Sequence, residues 1–490
     1  MAAADTSSGS GVAPALAGAS DAQRHGLEPM ELTGEQLLAA CETDAPETLG
    51  GAHNTDELEH PSMMGHLVRS LMPGQDLTRV TIPSWFLESR SLLEKMADTL
   101  MHPDLLIHVG QAKTPADRMV ALTKWYLSGW HYKLPGVKKP YNPIIGESFA
   151  ATWEHDDGSR SQYVGEQVLH RPPVTAFYFE NRKNNIVCTG QVHTRSKFAA
   201  PQSAMSILEG GATLTLTDKD ESYWITYPDA NAHNLLMGTL RMEYGGASVI
   251  YCAKTKCKAE FTWHQKPFWG GEDNINKVTA TITENGKQVA VVEGYWNDKM
   301  HITRTGGAKA LFLDTKAEPI LPKRVLPIHL QGPWESRRLW ARTSLMLNAR
   351  PTVEWGDVDK SKGLLEEDQR LLACHKKGDE FKPWEPRMFT KGSFVNPLTG
   401  DKVDNWHTFK YLNLKPYEEG EEGHNLLAES RQHSFADFRN TQPEQTAGLA
   451  GANAKVPDEF IPAASPAATP AAAEAEGAAP AEATPAAGQA

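Results

Sequence analysis

The stretch from about residue 145 to 315 constrains the fold most, because its apolar and polar residues alternate over many short runs. ATLTLTD and SYWITY alternate in this way, and KVTATITENGKQVAVVEGYW contains two alternating runs on either side of Asn285-Gly286. Alternation with a period of two predicts β-strands, and Asn-Gly between two such runs is the strongest short signal for a hairpin. These strands predict a large antiparallel meander that must curl or close into a barrel, and such a barrel can enclose a ligand cavity.

Helical patterns flank this stretch on both sides. Between 62 and 131, apolar residues recur at helical spacing in PSMMGHLVRSLMPG and SLLEKMADTLMHPDLL. A third run opens with Thr114 as the N-cap, Pro115 at the first helical position and Asp117 completing a capping box. Helix is predicted again between 333 and 378. The body, 61–440, is therefore predicted to be α+β and mainly β, and its first helix either covers a mouth of the sheet or packs on its outside.

The two ends of the chain differ from this body in composition and charge. Residues 1–60 carry eleven acids and one base, and residues 441–490 carry six acids and one base, so the chain's net charge of −12 leaves the body at about +3. Both ends are poor in large apolar residues, which predicts an acidic disordered N-terminal tail over 1–60 and a disordered Ala/Pro/Glu-rich tail over 441–490. A mildly basic body suits transient contact with an anionic surface but is too weakly charged to indicate nucleic-acid binding.

The sequence also indicates a cytosolic compartment. Charged residues interrupt every apolar run well before 18 residues, and MAAADTSSGS lacks the pattern of a secretory signal. The five cysteines are scattered, and the one close pair, Cys252 and Cys257, has no second Cys or His pair to complete a zinc site. We therefore expect reduced, structural cysteines and no metal or cofactor.

Three clusters of polar residues are candidates for a binding site. In VKKPYNPIIGESF, two prolines frame Asn142 and fix the direction of Lys139. In GEQVLHRPP, the Pro-Pro pair ends or bulges a strand and presents the side chains that precede it at the strand end. In KGLLEEDQR, three charged residues recur every four positions and share one helix face. The residues of the second and third clusters are Glu166, His170 and Arg171, and Lys362, Glu366 and Arg370.

Each cluster alone also fits a structural role, as a proline-shaped turn, a strand end or a surface ion-pair ladder. Together they supply lysine and arginine donors that suit a phosphorylated headgroup. Glu166 beside His170 also fits the acid–base pair of a hydrolase. No serine or cysteine occurs in an elbow-like nucleophile motif, so we expect a binding protein and not an enzyme.

The residues KKPYNPIIGESF followed by EQVLHRPP resemble the oxysterol-binding-protein-related family, whose fingerprint is EQVSHHPP. The resemblance covers most of 61–390 and includes DLTRVTIPSWFLESRSLLEKMAD, KWYLSGW, GYWNDKM, FLDTK and WESRRLW. Leu169 and Arg171 depart from the fingerprint. The resemblance implies an incomplete antiparallel β-barrel around a lipid tunnel, closed by an N-terminal lid at about 61–90. It also implies a short, lipid-domain-only member, without pleckstrin-homology or ankyrin segments.

The resemblance further implies ligand contacts. Those to phosphatidylinositol 4-phosphate fall on Lys139, Asn142, His170, Lys362, Glu366 and Arg370, and Arg171 keeps a donor where the family has a second histidine. The residues around DLTRVTIPSWFLE and KKPYNP are most similar to the fungal branch that carries phosphatidylserine. That similarity implies contacts from Ile82 and Ser84 at the lid and from Asn142 and Ser196 to the serine headgroup.

The resemblance thus implies a cytoplasmic lipid-transfer protein that is peripheral at membranes, including endoplasmic reticulum–plasma membrane contact sites. It would extract one lipid, phosphatidylserine, in exchange for phosphatidylinositol 4-phosphate. Two alternatives stay open: a sterol carrier or exchanger, and a lipid sensor or regulator without net transport. The sequence does not identify protein partners.

Overall fold

The computed structural model describes residues 19–24, 28–44, 84, 87–132, 139–199, 203–233, 241–266, 270–349, 352–373, 376–377, 380–381, 385–421, 423–440 and 459. Its helices are α1 Asp21–Arg24, α2 Gly34–Ala40, α3 Leu92–Asp98, α4 Asp104–Gln111, α5 Pro115–Ser128, α6 Ser336–Leu339, α7 Ala341–Asn348, α8 Trp355–Ala373 and α9 Leu426–Asn440. None of these helices is long and apolar enough to cross a membrane.

The strands are β1 Glu42–Thr43, β2 Leu87–Ser91, β3 Lys139–Tyr141, β4 Ser148–Glu154, β5 Arg160–Leu169, β6 Val174–Asn181, β7 Ile186–Ala199, β8 Ser203–Leu216, β9 Glu221–Ile225, β10 Asp229–His233, β11 Arg241–Cys252, β12 Cys257–Trp263, β13 Lys277–Glu284, β14 Lys287–Tyr295, β15 Lys299–Arg304, β16 Lys309–Asp314, β17 Arg324–Val325, β18 Lys376–Lys377, β19 Glu380–Phe381, β20 Phe389–Val395 and β21 Lys402–Phe409.

One large sheet dominates the molecule, in the order β1-β17-β4-β5-β6-β7-β8-β10-β11-β12-β13-β14-β15-β16, with β9 paired to β8 and β11. From β4 to β16 most strands pair antiparallel with the next strand along the chain. This is the predicted meander, and the expectation of an α+β, mainly β fold is confirmed. The pairs β2–β3, β18–β19 and β20–β21 lie outside the large sheet.

Local signals in the sequence formed the expected structures. Asn285 and Gly286 join β13 to β14 with φ angles of 51° and 78°, the positive values that a two-residue hairpin turn requires. Thr114 caps α5, since its hydroxyl accepts a hydrogen bond from the Asp117 backbone N–H at 3.1 Å. The Asp117 carboxylate accepts a hydrogen bond from the Thr114 hydroxyl at 2.7 Å. The second bond of the predicted capping box therefore joins two side chains, instead of running to the backbone N–H of Thr114.

Strands β4 to β7 are covered on both faces, which places the main core inside the curved sheet. The inner face packs with α3, α4 and α5 in a cluster that includes Trp125, Tyr163 and Phe261. The outer face packs with α2, α9 and the β20–β21 hairpin around Tyr178 and Phe409, whose rings stack at 4.2 Å. Near-continuous burial along β4 and β5 follows from this double covering.

The prediction of a disordered tail over 1–60 is wrong for residues 28–44. There α2 begins at a full capping box on Thr33 and buries Leu37 in the outer core, and β1 pairs with β17. The prediction rested on the low content of large apolar residues. A few buried groups are enough to hold this segment against the body, without an apolar stripe along it. Residues 61–83, where most of the predicted lid falls, and 441–490, apart from Glu459, lie outside the described residues.

Candidate functional site

An apolar cavity of about 140 Å³ lies between α3, α5 and the inner face of the sheet. Helix α3 supplies Leu92, Lys95 and Met96, which recur at helical spacing on one face. Strand β7 supplies Cys188, Val192 and Thr194, which alternate onto the inner side. The full lining is Leu92, Lys95, Met96, Thr99, Leu100, Trp125, Tyr126, Gly129, Trp130, Tyr163, Phe177, Phe179, Cys188, Val192, Thr194, Leu208, Ala212, Ile225 and Tyr227. Such a lining accepts hydrocarbon and excludes charged solutes.

A few polar groups interrupt the apolar lining. The Tyr126 hydroxyl is satisfied by Thr226 O and Ser248 Oγ, each at 2.8 Å. The Tyr227 hydroxyl and Trp125 Nε1 are buried and have no hydrogen-bond partner within the part of the chain that the structure describes. Unpaired buried donors are costly, so these two groups are suited to a polar atom that enters the cavity. The sequence patterns carried no signal for them.

A second site brings together four of the predicted headgroup residues. The Lys139 ammonium donates a short hydrogen bond to Asn142 Oδ1. Lys362 Nζ lies 3.1 Å from Glu366 Oε1 on α8, and Lys362 and Glu366 both act electrostatically on Lys139. The structure thus places Lys139, Asn142, Lys362 and Glu366 in one cluster, here called the lysine site.

Packing beneath the lysine site explains how β3 and α8 meet. Tyr141 of β3 stacks on Trp340 with ring centroids 4.3 Å apart. Val358 and Leu365 of α8 join the same buried cluster, and the side chains of Thr343 and Ser361 share a hydrogen bond of 2.9 Å that ties α8 to α7. Apolar residues therefore hold the two lysines in place, although 223 positions separate them.

Burial and the nearby Lys362 cation lower the pKa of Lys139 to about 8. The pKa of lysine is ordinarily near 10.4. The positive charge of Lys139 is therefore unfavourable in this site when Lys362 is also charged. An anionic group bound there would remove the repulsion between the two ammonium groups, which is the property expected of a phosphate site.

The GEQVLHRPP segment lies beside the loop that follows β3. Gly146 N donates to Gln167 O at 2.9 Å, which fixes the end of β5 against that loop. In the turn that follows, His170 is half-buried and Arg171 is exposed. The turn that carries this pair therefore begins where β5 meets the 142–147 loop, and no described contact joins Arg171 to the lysine site.

Glu166 has a different role from the one the sequence suggested. Its carboxylate is fully buried and accepts the backbone N–H groups of Arg387 and Met388 at 2.7 and 2.9 Å. The interpretation of Glu166 as a side chain presented at a strand end is wrong, because its carboxylate is buried against Arg387 and Met388, which directly precede β20. It anchors the segment that leads into the β20–β21 hairpin to β5.

Of the remaining predicted residues, the structure describes the side chains of Ser84 and Ser196. Ser84 is buried, and its hydroxyl donates to Asp359 Oδ1 at 2.5 Å. Ser196 lies opposite Ser206 in the β7–β8 ladder, on the same inward face as the cavity residue Thr194. Arg370 belongs to α8, but its side chain, like the whole of Ile82, falls outside the described residues.

Comparison with known proteins identifies the family to which this combination of an apolar cavity and a lysine site belongs. A family model described as oxysterol-binding protein matches residues 66–355. The chain belongs to the oxysterol-binding protein family. The matched range includes the cavity and Lys139, and ends at the first residue of α8, Trp355.

Two relatives illustrate how far the similarity extends. Oxysterol-binding protein-related protein 5 of Homo sapiens is 34% identical over 403 residues, covering 81% of this chain and 43% of that protein. Oxysterol-binding protein 4 of Dictyostelium discoideum is 36% identical over 376 residues, covering 74% of this chain and 77% of that protein. The chain therefore spans less than half the length of the human relative.

Solved structures share the fold. The Osh1 ORD domain in complex with ergosterol has a TM-score of 0.59 and 19% sequence identity, with 86% of this chain and 99% of that chain covered. The Osh3 ORD from Saccharomyces cerevisiae in complex with PI(4)P has a TM-score of 0.54 and 18% identity, with 77% and 95% covered. This oxysterol-binding protein family member thus shares the fold of the ORD domains in these structures.

Proposed function

We propose that this protein carries one membrane lipid at a time and exchanges phosphatidylserine for phosphatidylinositol 4-phosphate. The observation that carries the proposal is the pairing of Lys139 with Lys362 in a partly buried site that also offers the Asn142 amide. A phosphate monoester brings a charge of about −1.5 to −2 and three strong acceptor oxygens, which match two ammonium groups and an amide donor.

The cavity supports carriage of the hydrophobic part of such a lipid. Each CH₂ group removed from water is worth about 0.8 kcal/mol, so a lipid leaves a membrane at a useful rate only if its chains are shielded in transit. The lining of aromatic and aliphatic side chains supplies that shielding. Because one cavity serves both lipids, we expect them to compete, and a phosphoinositide gradient would then drive the other lipid between membranes.

The inner face of β7 supports phosphatidylserine as the exchanged lipid. Ser196 and Ser206 face each other one step beyond Thr194 and Leu208 of the cavity lining. Their hydroxyls lie next to the apolar lining, where they can donate hydrogen bonds to a serine headgroup and accept hydrogen bonds from it. Ser84 supports this cargo less, because its hydroxyl is already bound to Asp359.

A sterol is the second candidate cargo, and a separate observation favours it. The buried Tyr227 hydroxyl and Trp125 Nε1 face the cavity without partners in the described structure. One hydroxyl on a rigid apolar body would satisfy them, directly or through water. The hydrocarbon tail of a phospholipid offers no such group.

Native mass spectrometry of the purified protein tests the choice between these lipids. The protein would be incubated with liposomes that hold phosphatidylserine, ergosterol and phosphatidylinositol 4-phosphate, and transfer to acceptor liposomes would be followed in parallel. We expect phosphatidylserine and the phosphoinositide to bind one at a time and to displace each other. Capture of ergosterol instead of phosphatidylserine would support the sterol carrier, and binding without transfer would support a sensor.

We expect phosphoinositide affinity to fall as the pH rises above about 8. In the protein without bound lipid, Lys139 loses its proton near pH 8. A bound phosphate would raise the pKa of Lys139. Above pH 8, binding of the phosphate must therefore be accompanied by uptake of a proton, which lowers the affinity. The second ionisation of the phosphate, near pH 6, is complete over this range and does not contribute. Calorimetry with dioctanoyl phosphatidylinositol 4-phosphate between pH 7 and 9 should show a loss of about tenfold.

Lys139→Arg provides the matched control for this pH dependence. Arginine keeps its charge far above pH 9, so its affinity should stay constant across the same range, whatever its absolute value. An unchanged affinity of the unmodified protein between pH 7 and 9 would contradict a role for Lys139 in binding the phosphate.

A further inference from the structure

Helix α3 contributes side chains both to the cavity and to a network of buried charges. Leu92, Lys95 and Met96 face the cavity, whereas Glu94 and Asp98, four residues apart, lie on another face of the helix. Both carboxylates are 1% exposed. The position of this cavity wall therefore depends on what compensates the charges behind α3.

Three cations meet the buried carboxylates of α3. Lys323 Nζ lies 2.9 Å from Asp98 Oδ1, and Arg90 Nη1 lies 2.9 Å from Asp98 Oδ2. Arg337 forms a two-bond contact with Glu94 at 2.6 and 3.2 Å. Since these cations outnumber the two α3 carboxylates, a further anion is needed nearby.

Asp44 supplies that anion from a segment N-terminal to the family match, which begins at residue 66. Its Oδ2 lies 2.9 Å from Lys323 Nζ, and its carboxylate accepts two hydrogen bonds from Arg337 at 2.6 and 3.0 Å. With the Glu88–Lys95 pair at 3.4 Å, the network is neutral as counted over the residues that the structure describes. Its cations are Arg90, Lys95, Lys323 and Arg337, and its carboxylates are Asp44, Glu88, Glu94 and Asp98.

Residues 28–44, here called the strap, hold Asp44 in place. Arg431 Nη2 donates to Met30 O at 2.8 Å, and Arg324 Nη2 donates to Leu38 O and Cys41 O at 3.1 and 3.2 Å. Leu37 is buried in the outer core, and Asp44 N donates to Lys323 O at 3.0 Å. The strap is thus fixed along its length.

We propose that Asp44 is a positioning residue for the lipid cavity: by completing the charge balance behind α3, the strap sets the cavity wall that α3 forms. Removal of Asp44 leaves Lys323, which is 1% exposed, in a network with one excess positive charge. A buried cation without compensation is strongly unfavourable. Helix α3 carries Glu94 and Asp98, the remaining carboxylate partners of Lys323. We therefore expect α3 to shift or loosen, so that water reaches the uncompensated charge. The effect on lipid retention rests on the proposed carriage of lipid, whereas the effect on α3 does not.

Hydrogen–deuterium exchange of the full chain tests the proposal, with Asp44→Asn compared with Glu42→Gln. Glu42 is an exposed carboxylate two residues away in β1. We expect amides of α3 to exchange about tenfold faster in Asp44→Asn, those of α5 to stay protected, and Glu42→Gln to match the unmodified protein. Bound NBD-phosphatidylserine or dehydroergosterol should also leave Asp44→Asn at least about fivefold faster. Unchanged exchange of α3 would overturn the proposal, as would unchanged retention of a probe that the unmodified protein binds.

A second variant keeps the test decisive if Asp44→Asn folds poorly. Asp44→Asn/Lys323→Met removes one charge of each sign and keeps the side-chain shapes similar, so the network stays neutral. We expect it to restore most of the α3 protection that Asp44→Asn loses. No recovery in the double variant would overturn charge balance as the basis of positioning. If the unmodified protein retains neither lipid probe, the proposed carriage fails, and exchange of α3 still decides the present inference.

Discussion

Lys362→Ala is expected to weaken binding of phosphatidylinositol 4-phosphate about 10- to 100-fold. A hydrogen bond to a charged group is worth about 1.5–3 kcal/mol, and 1.4 kcal/mol corresponds to a factor of ten in affinity. The Lys362 side chain is only 10% exposed, so water screens its charge weakly. Binding of dioctanoyl phosphatidylinositol 4-phosphate by calorimetry measures the effect, and uptake of the exchanged lipid should change little.

Lys360→Ala is the matched control for this variant. Lys360 lies on the same helix, but its side chain is 81% exposed and pairs with Asp357 at 3.5 Å. Its loss should leave affinity within about twofold, because exposed ion pairs contribute little. Equal effects of the two variants, or full binding by Lys362→Ala, would contradict the assignment of the lysine site.

Local patterns predicted local structure well. The Asn285-Gly286 turn needs two residues that tolerate positive φ, and Thr114 needs only the backbone N–H three residues later. Both features depend only on residues close in the sequence, so a local pattern is sufficient to predict them. The same holds for the alternation that predicted the meander.

The lysine site required more than local pattern. Lys139 and Lys362 meet because Tyr141, Trp340 and Leu365 pack together, and no spacing rule links those positions. The family resemblance supplied the grouping, which the structure reproduces for Lys139, Asn142, Lys362 and Glu366. Tyr227 and Trp125 were missed because their importance comes from sharing one cavity, which only the folded chain reveals.

The strap shows why composition alone misjudged residues 28–44. An excess of acids in a sequence usually indicates solvated chain. Here Asp44 forms ion pairs with Lys323 and Arg337. Its charge therefore stabilises the folded segment, whereas composition registers only an excess of acidic residues that repel one another. Three buried side chains, Met30, Leu37 and Cys41, pack this segment onto the body, which is too few to give a periodic apolar pattern.

Leu208→Trp is expected to abolish uptake of every lipid cargo, which separates the cavity from the lysine site. Leu208 faces Thr194 across the β7–β8 ladder, and both line the cavity of about 140 Å³. A tryptophan there would fill space that hydrocarbon must occupy, so we expect retention of NBD-phosphatidylserine, dehydroergosterol and the full-length phosphoinositide to fall more than about tenfold. Added volume is destabilising when it enters a well-packed core, but here it enters a cavity, so the melting temperature should change little.

Leu311→Trp controls for the introduction of a tryptophan, since Leu311 on β16 is 57% exposed and is not among the residues that line the cavity. It should bind all three lipids as the unmodified protein does. Lys362→Ala should lose only the phosphoinositide, whereas Leu208→Trp should lose all three, because headgroup recognition is specific to one lipid and hydrocarbon shielding is common to all. Full uptake by a folded Leu208→Trp would show that lipid chains lie elsewhere in the molecule.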